Sequence, residues 1–313
     1  MVKIGNTDLD VFGINLGGNV FGWTADEAES FAVLDAYAAA GGNFLDTADV
    51  YMARIEGNSG GESETIIGNW LASRGRRDDT VVATKVGMWG KRPGLSAKNI
   101  KEAAEDSLRR LRTDHIDLYY AHRDDPDTPL EETLGAFDEL VRAGKVRYIA
   151  ASNYTADRLA EALSISDSAG LARYAALQPH YNLVERDYER ELAPLAEREG
   201  LGTLPYFALA KGFLTGKYRS ADGAGDSPRA DGALAYLDER GERVLAALDE
   251  AAAAHRVPVA AVALAWLAAQ PTVAAPIASA RNTGQLTGLL AAAQLELTED
   301  ELRKLTVAST TSQ

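Results

Sequence analysis

Eight short apolar runs, separated by stretches of helical periodicity, limit what this chain can fold into. The runs are Ile14–Gly17, Asn43–Asp46, Thr80–Thr84, His115–Ala121, Val146–Ala151, Tyr174–Gln178, Leu201–Pro205 and Thr272–Pro276. Most start roughly 25–40 residues after the previous one, the length of a strand, a helix and two loops. Between them, Ala97–Leu111 places Ile100, Ala103, Ala104, Leu108 and Leu111 on one helical face and Lys101, Glu105 and Arg109 elsewhere. Asp187–Arg198 and Pro129–Arg142 repeat that pattern. The strands are too continuously apolar to face water on either side, which argues for a parallel sheet closed into a (β/α)8 TIM barrel. An open doubly wound sheet commonly carries G-x-G-x-x-G after an early strand. Gly17-Gly18-Asn19-Val20-Phe21-Gly22 does not have that spacing.

Residues 1–12 alternate around Gly5-Asn6-Thr7 and read as a hairpin that plugs the lower end of the barrel. Tyr206–Leu234, rich in Gly, Ser, Asp and Ala, reads as a long loop after the seventh strand, and loops of that length are usually functional. No repeat or linker divides the chain, so residues 1–313 are expected to form one barrel domain.

A 46% hydrophobic content supplies a large core. The 32 Lys and Arg against 46 Asp and Glu leave a net charge of −14, which repels nucleic acid and anionic lipid, so neither is an expected partner. There is no cysteine, which excludes disulfides, thiolate nucleophiles, thiolate zinc and iron–sulfur clusters. The start of the chain lacks the pattern of a signal peptide. Val257–Ala269 is too short to span a bilayer and reads as a buried helix with Pro258 in its first turn. A soluble cytoplasmic protein is expected.

In such barrels the chemistry lies at the C-terminal strand ends. The second strand ends in Asp46 with Tyr51 in the following loop, the third runs into Lys85, and the fourth ends in His122. Taken singly, the Asp reads as a cap, the Tyr as packing, the Lys as a solvated charge and the His as the start of an acidic loop. Together they make a site, because a Lys at a buried strand end needs the counter-charge that Asp46 supplies. A neighbouring ammonium is expected to lower the Tyr51 pKa from about 10 and prepare it to protonate a developing alkoxide. That suits carbonyl reduction, with hydride from a bound cofactor.

Other chemistries fit less well. Gly212–Lys217 has three residues between its glycines and Tyr218 after the Lys, which is not a Walker loop. His115, His122, His180 and His255 are scattered without metal-ligand spacing. A glycosidase pair of Asp46 with Glu62 or Asp117 leaves Lys85 unexplained. Asn153-Tyr154-Thr155 matches a glycosylation acceptor but falls at a barrel strand end.

Several ordered motifs resemble the aldo-keto reductase superfamily. They are Gly42–Tyr51, Gly61-Glu62-Ser63-Glu64, Ala83-Thr84-Lys85, Ser107–Leu111, Asp114–Tyr119, Gly144–Ile149 and Ser152-Asn153. The resemblance is strongest to the branch of bacterial oxidoreductases and potassium-channel β subunits. It implies a barrel that binds an extended nicotinamide cofactor, a small-molecule carbonyl substrate, and a tetrad of Asp46, Tyr51, Lys85 and His122. Within that tetrad Tyr51 is the general acid, Lys85 with Asp46 tunes it, and His122 orients the carbonyl. The resemblance further assigns Ser152, Asn153 and Gln178 to the carboxamide and Tyr206 to stacking on the nicotinamide. Phe207, Leu209, Lys211, Gly212 and Leu214 fall beside the pyrophosphate, and Ser279, Arg281 and Gln285 at the adenosine end. Arg281 suits a 2′-phosphate, which favours NADPH over NADH.

The chain departs from the family pattern twice. Phe207-Ala208 replaces Ser-Pro, and Gly288 and Leu289 stand where Glu and Asn grip the adenine. Phe21, Trp23, Met52, Met88 and Trp89 follow the first three strands and are candidates for an apolar substrate wall. The alternative function is a nicotinamide-binding redox-sensing subunit with little turnover, against which the complete tetrad speaks.

Overall fold

A computed structural model describes residues 1–220 and 230–310. The chain opens with an antiparallel hairpin of β1 (Val2–Lys3) and β2 (Asp10–Val11), Val2 opposite Val11. Its turn passes Gly5 at a φ of +49°, where a Cβ would sit 2.6 Å from the amide nitrogen of Gly202. Only glycine lets the hairpin close on the barrel floor. Ile4, Leu9 and Val11 plug that floor, packing with Phe44, Leu118 and Ala150.

The eight barrel strands are β3 (Asn15–Gly17), β4 (Phe44–Asp46), β5 (Val81–Val86), β6 (Ile116–Ala121), β7 (Val146–Ser152), β8 (Tyr174–Gln178), β9 (Gly202–Thr203) and β10 (Ile277–Ala278). All pair in parallel in the order β10-β3-β4-β5-β6-β7-β8-β9. Thr203 bridges Val273, and the Ile277 amide donates to the Pro205 carbonyl at 2.9 Å, which joins the two ends of the sheet. Around it stand α1 (Glu27–Ala39), α2 (Glu62–Arg74), α3 (Ala97–Leu111), α4 (Leu130–Arg142), α5 (Ala156–Ala169), α6 (Leu192–Glu199), α7 (Ala230–Leu234), α8 (Glu239–His255), α9 (Val259–Ala268), α10 (Thr283–Leu290) and α11 (Glu299–Ala308). The fold is the expected α/β barrel with an N-terminal hairpin. Among the described residues, no single helix is long and apolar enough to cross a membrane.

Alternation along the strands makes two cores. Leu16, Leu45, Val82, Tyr119 and Ile149 pack outward against the helices. Phe44, Ala83, Leu118, Ala150 and Ala176 pack inside the barrel. Continuing the inward parity by one step, residues 46, 85, 152 and 178 fall at the upper mouth of the barrel. The site is thereby placed by register alone.

Four expectations need correction. The eighth strand is Ile277–Ala278 and not Thr272–Pro276: Thr272 has a φ of +67° and Pro276 has no N–H for the ladder. Asp187–Arg198 is not one helix but a 3₁₀ turn at Asp187–Glu189 followed by α6. The ring of Pro194 would clash with the Arg190 carbonyl of a continuous helix. Pro258 is the residue that caps α9 and lies just outside its first turn. Tyr206–Leu234 is not one loop throughout, since it holds a 3₁₀ segment at Ala210–Thr215 and the helix α7. Residues 221–229 of it lie outside the described residues.

Candidate active site

Lys85, on β5, is fully buried and meets three acceptors, one for each ammonium proton. Its Nζ donates to Asp46 Oδ2 at 2.5 Å, to the Thr47 carbonyl at 2.7 Å and to the Tyr51 hydroxyl at 3.0 Å. Asp46, at the end of β4, is 1% exposed, and its other oxygen accepts from Gln178 Nε2 at 2.8 Å. The Tyr51 hydroxyl is 3.5 Å from Asp46 Oδ2, too long to hold its proton firmly. The rings of Tyr51 and His122 meet edge to face with centroids 6.1 Å apart. All four residues of the expected tetrad stand in this one cluster.

Burial disfavours the Lys85 ammonium, but Asp46 and Tyr51 outweigh it and hold its pKa above 10.5. Tyr51 reverses the sequence-based expectation. Burial raises its hydroxyl pKa more than Lys85 lowers it, and Asp46 adds to the rise, so the net direction is above 10. Tyr51 is therefore a protonated donor at neutral pH. Burial first, then the positive charges of Lys85 and Arg123, hold His122 well below 6.5 and keep its imidazole neutral. Its Nδ1 has no hydrogen-bond partner among the described residues.

Two residues before Tyr51, on the same loop, Asp49 is buried, with Oδ1 unpartnered among the described residues. Burial and Glu64 push its carboxyl up to about 7, with Arg110 pulling the other way. Glu64 is buried too, and accepts from Thr84 Oγ1 and Arg110 Nε at 2.6 Å each.

The tetrad opens into a cleft of about 790 Å³. Near the tetrad its wall includes Ser152, Asn153, Gln178 and Tyr206. The Tyr206 hydroxyl donates to Asn153 Oδ1 at 2.8 Å, and Asn153 Nδ2 donates to the His122 carbonyl at the same distance. Ser152 Oγ donates to the Gln178 carbonyl at 2.9 Å. The wall also includes Phe207, Leu209, Lys211 and Gly212, Ser279 just after β10, and Gln285, Gly288 and Leu289 of α10. Two expected cofactor residues stand apart from this wall. Leu214 is fully buried in the core, and Arg281 is exposed at the start of α10 with no side-chain partner among the described residues.

Of the five residues proposed for an apolar substrate wall, Met88 lines the cleft. Phe21 cannot do so, because a turn from Gly18 sends its ring into the core at 0% exposure. Trp23 and Met52 are half-buried away from the cleft. Trp89 covers Gly60, where a Cβ would fall 2.8 Å from its ring, under the cations of Lys91, Arg92 and Arg110. Sequence reasoning missed Arg123, Thr215, Lys217 and Pro258, which do line the cleft. The one signal for Lys217 was the Gly-Lys pair, considered above only as a Walker loop.

The two carboxylates of the glycosidase alternative are engaged with partners other than Asp46. Asp117 sits on the barrel floor, bonded by Arg77, Arg147 and the Val82 amide. Glu62 caps the backbone at Ser59 and Gly60. Among the described residues, no group of three or more His, Asp or Glu could hold a metal ion.

Residues 13–309 match the model of the aldo/keto reductase family. The chain belongs to the aldo/keto reductase family. Protein tas of Escherichia coli is 35% identical to it, over 97% of this chain and 95% of its own length. Norsolorinic acid reductase B of Aspergillus parasiticus is 33% identical over 94% and 77%. A probable voltage-gated potassium channel subunit beta of Oryza sativa is 35% identical over 91% and 88%. The family assignment makes the chain an oxidoreductase, and members generally use nicotinamide cofactors. The cleft fits such a group. An aromatic, Tyr206, stands beside the tetrad, while Lys211 and Lys217 bring positive charge to the wall of the cleft in a chain of net charge −14.

Proposed function

We propose that this protein reduces aldehydes or ketones to alcohols with NADPH, and that Tyr51 is the proton donor. The observation that carries the reading is the Lys85 ammonium, bonded at once to Asp46, the Thr47 carbonyl and the Tyr51 hydroxyl. A bound nicotinamide supplies the hydride. The chain supplies the rest. Neutral His122 offers an N–H to the substrate oxygen without adding charge, and Tyr51, protonated at neutral pH, gives its proton to the oxygen as it becomes an alkoxide. The phenolate left behind faces the ammonium 3.0 Å away. Asp46, itself held by Gln178, and the Thr47 carbonyl keep that ammonium in place, so the positive charge is already positioned when the negative charge forms. In oxidation the same phenolate is the base.

Ser152, Asn153, Gln178 and Tyr206 would hold the nicotinamide end, with Lys211 and Gly212 beside the pyrophosphate. The preference for NADPH rests on Arg281, whose exposed guanidinium is open to a dianionic phosphate.

The test is consumption of NADPH, and separately NADH, with a panel of aromatic and aliphatic carbonyls. Tyr51→Phe is expected to lower reduction by about 10²–10⁴-fold while NADPH binding is retained. Undiminished turnover in that variant overturns the assignment. The likeness to a potassium-channel subunit supports a second reading, a redox-sensing subunit, for which the same titration would give NADPH binding without turnover of any substrate.

A further inference from the structure

Two groups that line the cleft bear on which substrates it takes. One is Met88, an apolar side chain. The other is Arg123, the residue after His122, which is exposed and lines the cleft. Exposed arginines are common, but this one is bonded to neither acid of its own loop, although its charge helps hold the Asp125 carboxyl below the usual range. Asp124 is committed to Arg158 Nε at 3.0 and 3.2 Å. Asp125 accepts from the Leu95 amide at 2.6 Å, from Thr128 Oγ1 at 2.8 Å and from the Asp127 amide at 3.2 Å. Arg123 itself makes no hydrogen bond or ion pair with any described residue. A chain with 46 acidic residues thus keeps a guanidinium without an ion-pair partner among the described residues at the catalytic end of its cleft.

A guanidinium in that setting is a ready partner for a planar anion, which it can bind through two parallel N–H donors. Consecutive residues are 3.8 Å apart at Cα, so the group that meets the carbonyl and the group that would meet the anion belong to the same short stretch of chain. We propose that Arg123 determines substrate specificity, and that the preferred substrates are aldehydes or ketones bearing a carboxylate. The carbonyl lies at Tyr51 and His122, the carboxylate at Arg123, and the carbon skeleton between them against Met88. The inference rests on the carbonyl-reductase reading above and narrows its substrate class.

The experiment compares para-carboxybenzaldehyde with its methyl ester, which keeps the ring and the aldehyde and removes the charge. Binding of each to the protein with NADP⁺ present is measured by calorimetry, and reduction of each with NADPH by absorbance. The wild type is expected to favour the acid over the ester by roughly tenfold in both Kd and KM, the size of one charge-assisted contact. In Arg123→Gln that ratio should fall to about one, and in Arg123→Glu it should invert. An acid-to-ester binding ratio near one in the wild type, or one that persists in Arg123→Gln, overturns the proposal. So does an Arg123→Gln variant that loses tenfold in NADP⁺ affinity, which assigns the guanidinium to the cofactor. Reduction of the ester bears on the broader reading alone. If neither compound is reduced but the binding ratio collapses in Arg123→Gln, the reductase reading fails and the carboxylate site stands.

Discussion

At the Tyr51 end of the cleft, Asp46, Lys85 and Gln178 come from three barrel strands and are bonded to one another, whereas the far end is walled by Gly284, Gly288, Leu289 and the cap residue Pro258. The first set is fixed by the inward register of a parallel barrel, in which a strand offers one residue per level. The second set sits on helix α10 and on the cap of α9, outside the sheet, where neighbouring positions can exchange roles without disturbing the barrel. Proton chemistry needs the rigidity of the first end, because the donor must meet its charge partner at about 3 Å. Holding a long cofactor by its adenine tolerates the looseness of the second.

The largest effect is expected where that rigidity is greatest. Lys85→Met leaves Asp46 buried without its counter-charge and should lower stability by about 3–5 kcal/mol, read from urea unfolding. Reduction should fall at least about a thousandfold. The double variant Lys85→Met, Asp46→Asn should recover most of the stability and none of the turnover. Wild-type turnover in Lys85→Met would erase the contrast between the two ends.

Next comes Asp49, two residues before Tyr51 on the same loop. Its carboxyl is raised from 3.8 to about 7 in the folded chain, chiefly by burial. The folded state therefore holds this proton more tightly than the unfolded state does. Its stabilising contribution is complete below about pH 4 and is lost as pH rises through about 7. Asp49→Asn keeps the neutral shape, so its stability relative to wild type should grow by up to about 4 kcal/mol between about pH 4 and pH 8. A difference that stays flat across that range would mean that Asp49 titrates like a solvated carboxylate.

These two expectations also mark how much was legible in the sequence. Asp46, Lys85 and His122 could be read out because each ends or follows an apolar run, and strand parity does the rest. The sign of the Tyr51 shift could not, because the sequence names the neighbouring ammonium but does not reveal the burial that outweighs it. The substrate wall was legible only at Met88, since short loops can turn a large side chain inward, as happens at Phe21, or onto a glycine, as at Trp89. Arg123 was overlooked because it begins an ordinary-looking acidic loop, and only the structure pairs Asp124 and Asp125 elsewhere. The eighth strand was misplaced by a few residues at Pro276, where apolar composition and hydrogen-bonding capacity point in different directions.

At the far end the expected effects are smaller. Arg281 is exposed, so Arg281→Ala should weaken NADPH binding by about tenfold or less and leave NADH nearly unchanged, measured by fluorescence titration. Equal losses for both cofactors would move the 2′-phosphate contact to another cation, with Lys211 and Lys217 in the cleft as the candidates. Arg219 is a poorer one, since its guanidinium is held by both oxygens of Asp249.

The smallest effect has the opposite sign and separates the two ends most cleanly. Gly17, on β3, is closely enclosed: a Cβ there would lie 2.7 Å from Ser279 Oγ, which would have to leave its bond to Asn19, and 3.1 Å from Ile277 Cγ2. Gly288, inside α10, has room: its Cβ would meet Pro258 Cγ at 3.7 Å, an ordinary contact, on a backbone without positive φ. Helix interiors favour alanine over glycine, largely because glycine gives the unfolded chain more conformations to lose. Gly288→Ala should therefore raise stability by about 0.5–1 kcal/mol, while Gly17→Ala lowers it by unfolding in the same urea series. If Gly288→Ala gained that stability and left NADPH binding unchanged, the glycine would serve neither the helix nor the cofactor. A loss of NADPH affinity would mean that the cofactor packs directly against the Gly288 backbone, and that the far end of the cleft is as closely fitted as the tetrad.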